Sequence, residues 1–94
     1  MFQIEASKRF RKKFSKLIKN NKALEEKISQ TILQLRTDPG YASLKTHKVN
    51  LTNYGQVFSS YVTGDIRILW TKTDEAFVLL LLDVGGHEGG KGIY

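Results

Sequence analysis

Cysteine is absent from the 94-residue chain, which excludes disulfides, thiolate metal centres and a cysteine nucleophile. A reducing, cytoplasmic setting is the matching expectation. Proline occurs once, at Pro39, and histidine only twice, at His47 and His87. No run approaches the ~18 apolar residues that a membrane-spanning helix needs, so no membrane partner is expected. The first 20 residues are rich in Lys and Arg but lack the apolar centre of a signal peptide. Acidic side chains are the scarcer charge, 9 against 15 basic ones. An apolar share of 40% nonetheless excludes a disordered chain. At this length there is room for one domain, residues 1–94, which buries about 60–65% of its unfolded surface.

The basic excess is concentrated at one end. Residues 1–36 hold ten Lys or Arg and three acids, a net of +7, whereas residues 37–94 carry a net of −1. Such asymmetry is an electrostatic footprint for nucleic acid or an acidic protein, or alternatively a solvated helix face.

Phe2, Ile4 and Ala6 alternate with polar residues, the pattern of a short first strand. Ser7 suits a helix cap, and Phe10, Phe14, Leu17 and Ile18 form one apolar stripe on a basic helix ending near Lys19. A second helix follows Asn20-Asn21, with Glu25 and Glu26 near its N-terminus, where the dipole favours them. Its stripe is Leu24, Ile28, Ile32 and Leu35, and Asp38-Pro39-Gly40 stops it. So short a link predicts an antiparallel helical hairpin. Residues 41–55 read as a loop. Three strands are then expected: Val57–Val62, Asp65–Lys72, and the apolar run Phe77–Val84. The order β-α-α-β-β-β predicts an α+β fold, a helical hairpin on a three-stranded antiparallel meander.

A two-residue turn at Thr63-Gly64 places Val62 opposite Asp65, Ser60 opposite Arg67 and Phe58 opposite Leu69, all on one face. The other face, carrying Val57, Ser59, Tyr61, Ile66, Ile68 and Trp70, is the more apolar and is expected under the helices. Asp65 and Arg67 then stand side by side on an open face. A three-residue turn would break this parity.

The Leu44-Lys45-Thr46-His47 run, the strand Asp65-Ile66-Arg67-Ile68-Leu69-Trp70, the apolar last strand and Gly85-Gly86-His87-Glu88 before a terminal aromatic together resemble the RelE/ParE toxin superfamily, and more narrowly its YafQ-type members. The resemblance implies a type II toxin: a ribosome-dependent endoribonuclease that cuts messenger RNA and is neutralised by a cognate antitoxin. It assigns the catalytic set to His47, Asp65 and His87, the phosphate contact to Arg67, and stacking on the cleaved nucleotide to Tyr94. Departures accompany it. The strand lysines of RelE itself are absent here, Tyr61 stands where YafQ-type members have another histidine, and Tyr94 follows His87 by seven positions rather than about four.

The chemistry is coherent in its own terms. Transesterification of RNA needs a base for the 2′-hydroxyl, an acid for the leaving 5′-oxygen and positive charge on the phosphorane, and each acid–base group is worth about 10²–10⁴ in rate. Histidine serves either proton-transfer role near neutrality, and an arginine fork suits phosphate. No metal or other cofactor is required. The expected RNA-binding residues are Lys8, Arg9, Arg11, Lys12, Lys13, Lys16 and Lys19 on the first helix, with Lys45 and Lys48 beside His47. Taken singly, Asp65 also suits a turn after Gly64. Two other functions fit the same outline: a ParE-like inhibitor of DNA gyrase and a non-catalytic RNA-binding module.

Overall fold

A computed structural model describes residues 1–86; His87 and Tyr94 lie outside the described residues. The elements are β1 (Gln3–Ala6), α1 (Lys8–Ile18), α2 (Lys22–Thr37), a 3₁₀ turn (Ala42–Leu44), β2 (His47–Leu51), β3 (Gly55–Tyr61), β4 (Arg67–Lys72) and β5 (Val78–Gly85). One five-stranded sheet has the order β1-β5-β4-β3-β2. Strands β2 to β5 form an antiparallel meander, and β1 lies parallel to β5. The α+β class and the helical hairpin are as expected. The meander, however, has four strands rather than three. Its extra member is β2, inside the segment expected to be a loop. His47, Val49 and Leu51 alternate with Lys48 and Asn50, but three polar residues in five obscure the pattern, and pairing with β3 supplies what it lacks.

Ser7 caps α1 by accepting from the Phe10 N–H at 3.0 Å, while its hydroxyl donates to the Leu82 carbonyl at 2.8 Å. One side chain thus starts the helix and ties it to β5. Asn21 caps α2 through the Leu24 N–H at 3.1 Å, and Asp38 accepts from the Gly40 N–H where the chain leaves the helix. Phe10, Ile28 and Leu35 are buried against Val62, Ile68, Trp70, Leu79, Leu81 and Val84, with Phe14, Leu17, Ile18, Leu24 and Ile32 packed around them. The apolar stripes of both helices therefore cover one sheet face, as their spacing requires. Among the described residues, no helix is long and apolar enough to cross a membrane.

The register between β3 and β4 differs by one residue from the sequence expectation. Phe58 lies opposite Trp70, Ser59 opposite Leu69, Ser60 opposite Ile68 and Tyr61 opposite Arg67. The connection is three residues, Thr63-Gly64-Asp65, and Thr63 is the reason. Its Oγ1 accepts from the N–H groups of Asp65 (3.2 Å) and Ile66 (3.1 Å), folding the chain over its own side chain. A one-residue slip exchanges the two faces of a strand. Phe58, Ser60 and Val62 consequently face the helices, while Val57, Ser59 and Tyr61 share the open face with Arg67 and Leu69.

Candidate active site

The open face is built outward from a small apolar cluster. Val57 and Leu69 are buried there under Val49, Leu51, Tyr54 and Leu82. Beyond it, toward the β3–β4 connection, the face turns polar. Arg67, the first residue of β4, is half-buried and its guanidinium carbon lies 5.7 Å from the centre of the Tyr61 ring. The Lys45 ammonium lies 5.2 Å from the same ring. Two cations thus meet one aromatic ring, whose negative π system attracts both.

His47 is on this face, because it opens β2 opposite Ser59. It is exposed, and its Nδ1 lies 3.2 Å from the Lys45 carbonyl. When Nδ1–H donates to that carbonyl, Nε2 keeps the free lone pair and faces solvent as a base. From sheet spacings, His47 and Arg67 stand two strands and two residues apart, about 12 Å between Cα atoms. Side chains from both ends can close on one nucleotide between them. Asp65 is not on the strand beside Arg67. It sits exposed in the connection, and it makes no hydrogen bond or ion pair with His47. Its carbonyl oxygen instead touches Gly86, where an added Cβ would come within 2.7 Å. Only glycine lets β5 leave the sheet so close to the Asp65 backbone.

The basic helix divides into two roles. Arg9 Nε donates to Asp83 Oδ2 at 2.8 Å, and Lys13 Nζ lies 3.0 Å from Oδ1. The Tyr54 hydroxyl and the Val84 N–H donate to the same carboxylate, at 3.2 and 2.9 Å. Burial of Asp83, which is 1% exposed, pushes its pKa up, but the bonds from Arg9 and Lys13 outweigh this and hold it below the usual carboxylate range. Asp83 in return raises the Arg9 pKa, and burial followed by the Asp83 charge raises that of Tyr54. Arg9 and Lys13 are therefore structural as well as cationic. Lys8, Arg11, Lys12, Lys16 and Lys19 remain exposed. A groove of about 550 Å³ between α1 and the end of β5 is lined by Arg9, Lys13, Lys16, Leu17, Val84, Gly85 and Gly86. Gly85 pairs with Arg67, so this cationic groove ends one strand away from the start of β4.

The structure thus brings Arg67, Lys45 and His47 to one face beside α1, and leaves Asp65 at its rim. Lys48 points the other way, since it pairs with Phe58 of the helix-side face. Two participants escape sequence reasoning. Tyr61 is expected in the core only because the assumed turn is one residue too short. Asp83 stands in an apolar run, and a lone carboxylate there is itself the signal that cations must reach it.

No family model matches the chain, and no curated protein sequence does. Solved structures do. A metal-bound toxin from Helicobacter pylori is similar at 24% identity over 93% of this chain and 96% of that one, with a TM-score of 0.74. YafQ from Escherichia coli strain BL21(DE3) shares 21% identity over 93% and 94%, with a TM-score of 0.72. The E. coli DinJ–YafQ complex gives 25% identity over 93% and 94%, with a TM-score of 0.70. The likeness spans nearly the whole of each chain, and this chain has the RelE/YafQ-type toxin fold.

Proposed function

We propose that the chain is the toxin of a type II toxin–antitoxin pair, acting in the cytoplasm as a ribosome-dependent endoribonuclease on messenger RNA. The observation that carries this reading is Arg67 on an open face beside the Tyr61 ring, on the strand next to a cationic groove and across from an exposed histidine. That arrangement suits a phosphodiester, with the backbone tracking along α1 and the scissile phosphate on the guanidinium fork. His47 Nε2 takes the 2′-hydroxyl proton, the 2′-oxygen attacks phosphorus, and the 5′-oxygen leaves with a proton. His87 is proposed as the donor of that proton. It is bonded to Gly86, which packs against the Asp65 carbonyl at the rim of the same face. Asp65 and the terminal Tyr94 complete the set in supporting roles, the latter by stacking on the nucleotide. The partner is an antitoxin, as in the DinJ–YafQ complex.

Primer extension on ribosome-bound mRNA tests the reading directly. The expected result is discrete cuts in mRNA on the ribosome, with none in free RNA. Growth arrest with intact mRNA and accumulating DNA breaks would instead assign the fold here to gyrase inhibition.

Charge reversal on the outer face of α1 gives a second test. Changing Lys8, Arg11, Lys12 and Lys19 to Glu is expected to weaken ribosome binding and flatten its salt dependence, by about 0.7–0.9 in log–log slope for each phosphate no longer neutralised. Thermal stability should hardly change, because exposed single charges contribute little to it. Unchanged affinity would make these side chains a solvated surface and nothing more.

A further inference from the structure

His47 is exposed on an edge strand, and among the described residues the one hydrogen bond of its ring is that of Nδ1 with the Lys45 carbonyl, at 3.2 Å. Its own contacts do not aim it. The three residues before it are held far more firmly. Leu44 is buried in the core. Lys45 adopts the left-handed conformation (φ 48°, ψ 41°), with its N–H donating to the Ala42 carbonyl at 3.1 Å. A residue with a side chain keeps that conformation only where its surroundings impose it. Thr46 turns its side chain to the helix side of the sheet, opposite to Lys45 and His47. There its Oγ1 lies 2.6 Å from Ser60 Oγ, and Ser60 Oγ accepts from the Trp70 indole N–H at 2.8 Å.

Burial gives this chain of hydrogen bonds a direction. Ser60 is 0% exposed and Trp70 2%. Among the described residues, the Ser60 hydroxyl has two partners, the indole that donates to it and Thr46. Were Thr46 also to donate, the Ser60 proton would be buried with no acceptor, which native proteins rarely tolerate. The order is therefore Trp70 N–H to Ser60 O–H to Thr46 Oγ1, and each bond polarises the next. Thr46 is the terminal acceptor, tied to the core from behind the sheet. We propose that Thr46 is a positioning residue for His47, an inference that rests on the nuclease reading above. Anchored through Thr46, residues 45–47 keep the Lys45 carbonyl beside Nδ1 and the Lys45 ammonium 5.2 Å from the Tyr61 ring centre, next to Arg67. Nδ1 then carries the imidazole proton, and Nε2 is the basic atom presented to the 2′-hydroxyl. A buried tryptophan on one side of the sheet thus sets the tautomer of a base on the other.

Thr46→Val keeps the shape of the side chain and deletes the acceptor, whereas Thr46→Ser keeps the acceptor. The readout is the long-range proton–nitrogen NMR spectrum of the histidine rings in the free protein. It is taken at pH about 8.5, well above the ordinary imidazole pKa of about 6.5, so that the two ring nitrogens report the tautomer. The chain has two histidines, and the spectrum of His47→Gln assigns them. In the wild type the Nδ1–H form of His47 is expected to predominate. In Thr46→Val the ratio should move to that of free histidine, with a displaced indole N–H signal from Trp70, the one tryptophan. Single-turnover cleavage on the ribosome should fall by about 10–10² in Thr46→Val, with ribosome affinity unchanged. Thr46→Ser should restore the tautomer, the indole signal and the rate. Thr46→Ala repeats the comparison if the valine variant does not fold. An unchanged His47 tautomer in Thr46→Val, or a serine variant as defective as the valine one, would overturn the proposal and leave Thr46 a packing residue. The spectrum needs neither RNA nor ribosomes. A wild-type protein that cuts no mRNA would therefore defeat the nuclease reading, while the tautomer comparison decides whether Thr46 positions His47.

Discussion

Replacing Arg67 with alanine is expected to lower the rate of mRNA cleavage on the ribosome by about 10²–10³, the usual cost of removing one fixed group that stabilises developing charge. At about 1.36 kcal/mol for each tenfold change, this is about 3–4 kcal/mol of barrier. Backbone pairing fixes the main chain of Arg67 at the start of β4 and its guanidinium lies beside the Tyr61 ring, which limits the reorganisation needed when the phosphorane forms. Lysine at this position keeps the charge but loses the planar fork, and should restore only part of the rate. Alanine at His87 should cost at least about 10² if it protonates the leaving oxygen. Single-turnover cleavage at saturating ribosome concentration measures both effects, and a thermal melt of each variant separates chemistry from folding. Near-full cleavage by Arg67→Ala would remove the guanidinium from the mechanism.

The Asp83 network is expected to carry a large stability effect. Removing both cations, as Arg9→Ala with Lys13→Ala, leaves a carboxylate buried without its charge partners, and the expected cost is about 3–5 kcal/mol. Removing the carboxylate is a smaller insult. Arg9 has 57% of its side chain exposed and Lys13 has 23%, so the freed cations can turn to water. Adding Asp83→Asn to the double variant should therefore recover much of the loss, a coupling that denaturant unfolding can measure as a mutant cycle. Strict additivity would show that the three side chains are independent.

The same group sets a pH dependence. The folded-state pKa of Asp83 is depressed, so its contribution is fully present above the unfolded value of about 3.9 and is lost as pH falls from there through the folded pKa. The acid arm of the stability profile should be shallower in Asp83→Asn.

Much of the fold is legible in the chain because local rules and burial agree. The stripes of α1 and α2, the cap at Ser7, the stop at Asp38-Pro39-Gly40 and the apolar β5 each signal themselves, and each is where expected. β2 is not legible, because three of its five residues are polar and its strand character comes from β3. Of the site, Arg67 and His47 are identifiable by type and order, and both face the open side. Asp65, expected on a strand, lies in the connection before it.

By itself, then, the sequence determined the helices, the basic end, the α+β class and the residue types able to handle a phosphodiester, since these follow from periodicity and composition within short stretches. Which side chains share a face was decided only in the tertiary structure. Strand parity hangs on one residue of turn length. That length was settled by the Thr63 hydroxyl accepting two backbone N–H groups, and it moved Tyr61 from the expected core to the ring beside Arg67. The pairing of Asp83 with Arg9 and Lys13, which lie 74 and 70 positions away in the chain, likewise arises only because α1 packs along β5, where a buried carboxylate must find its cations.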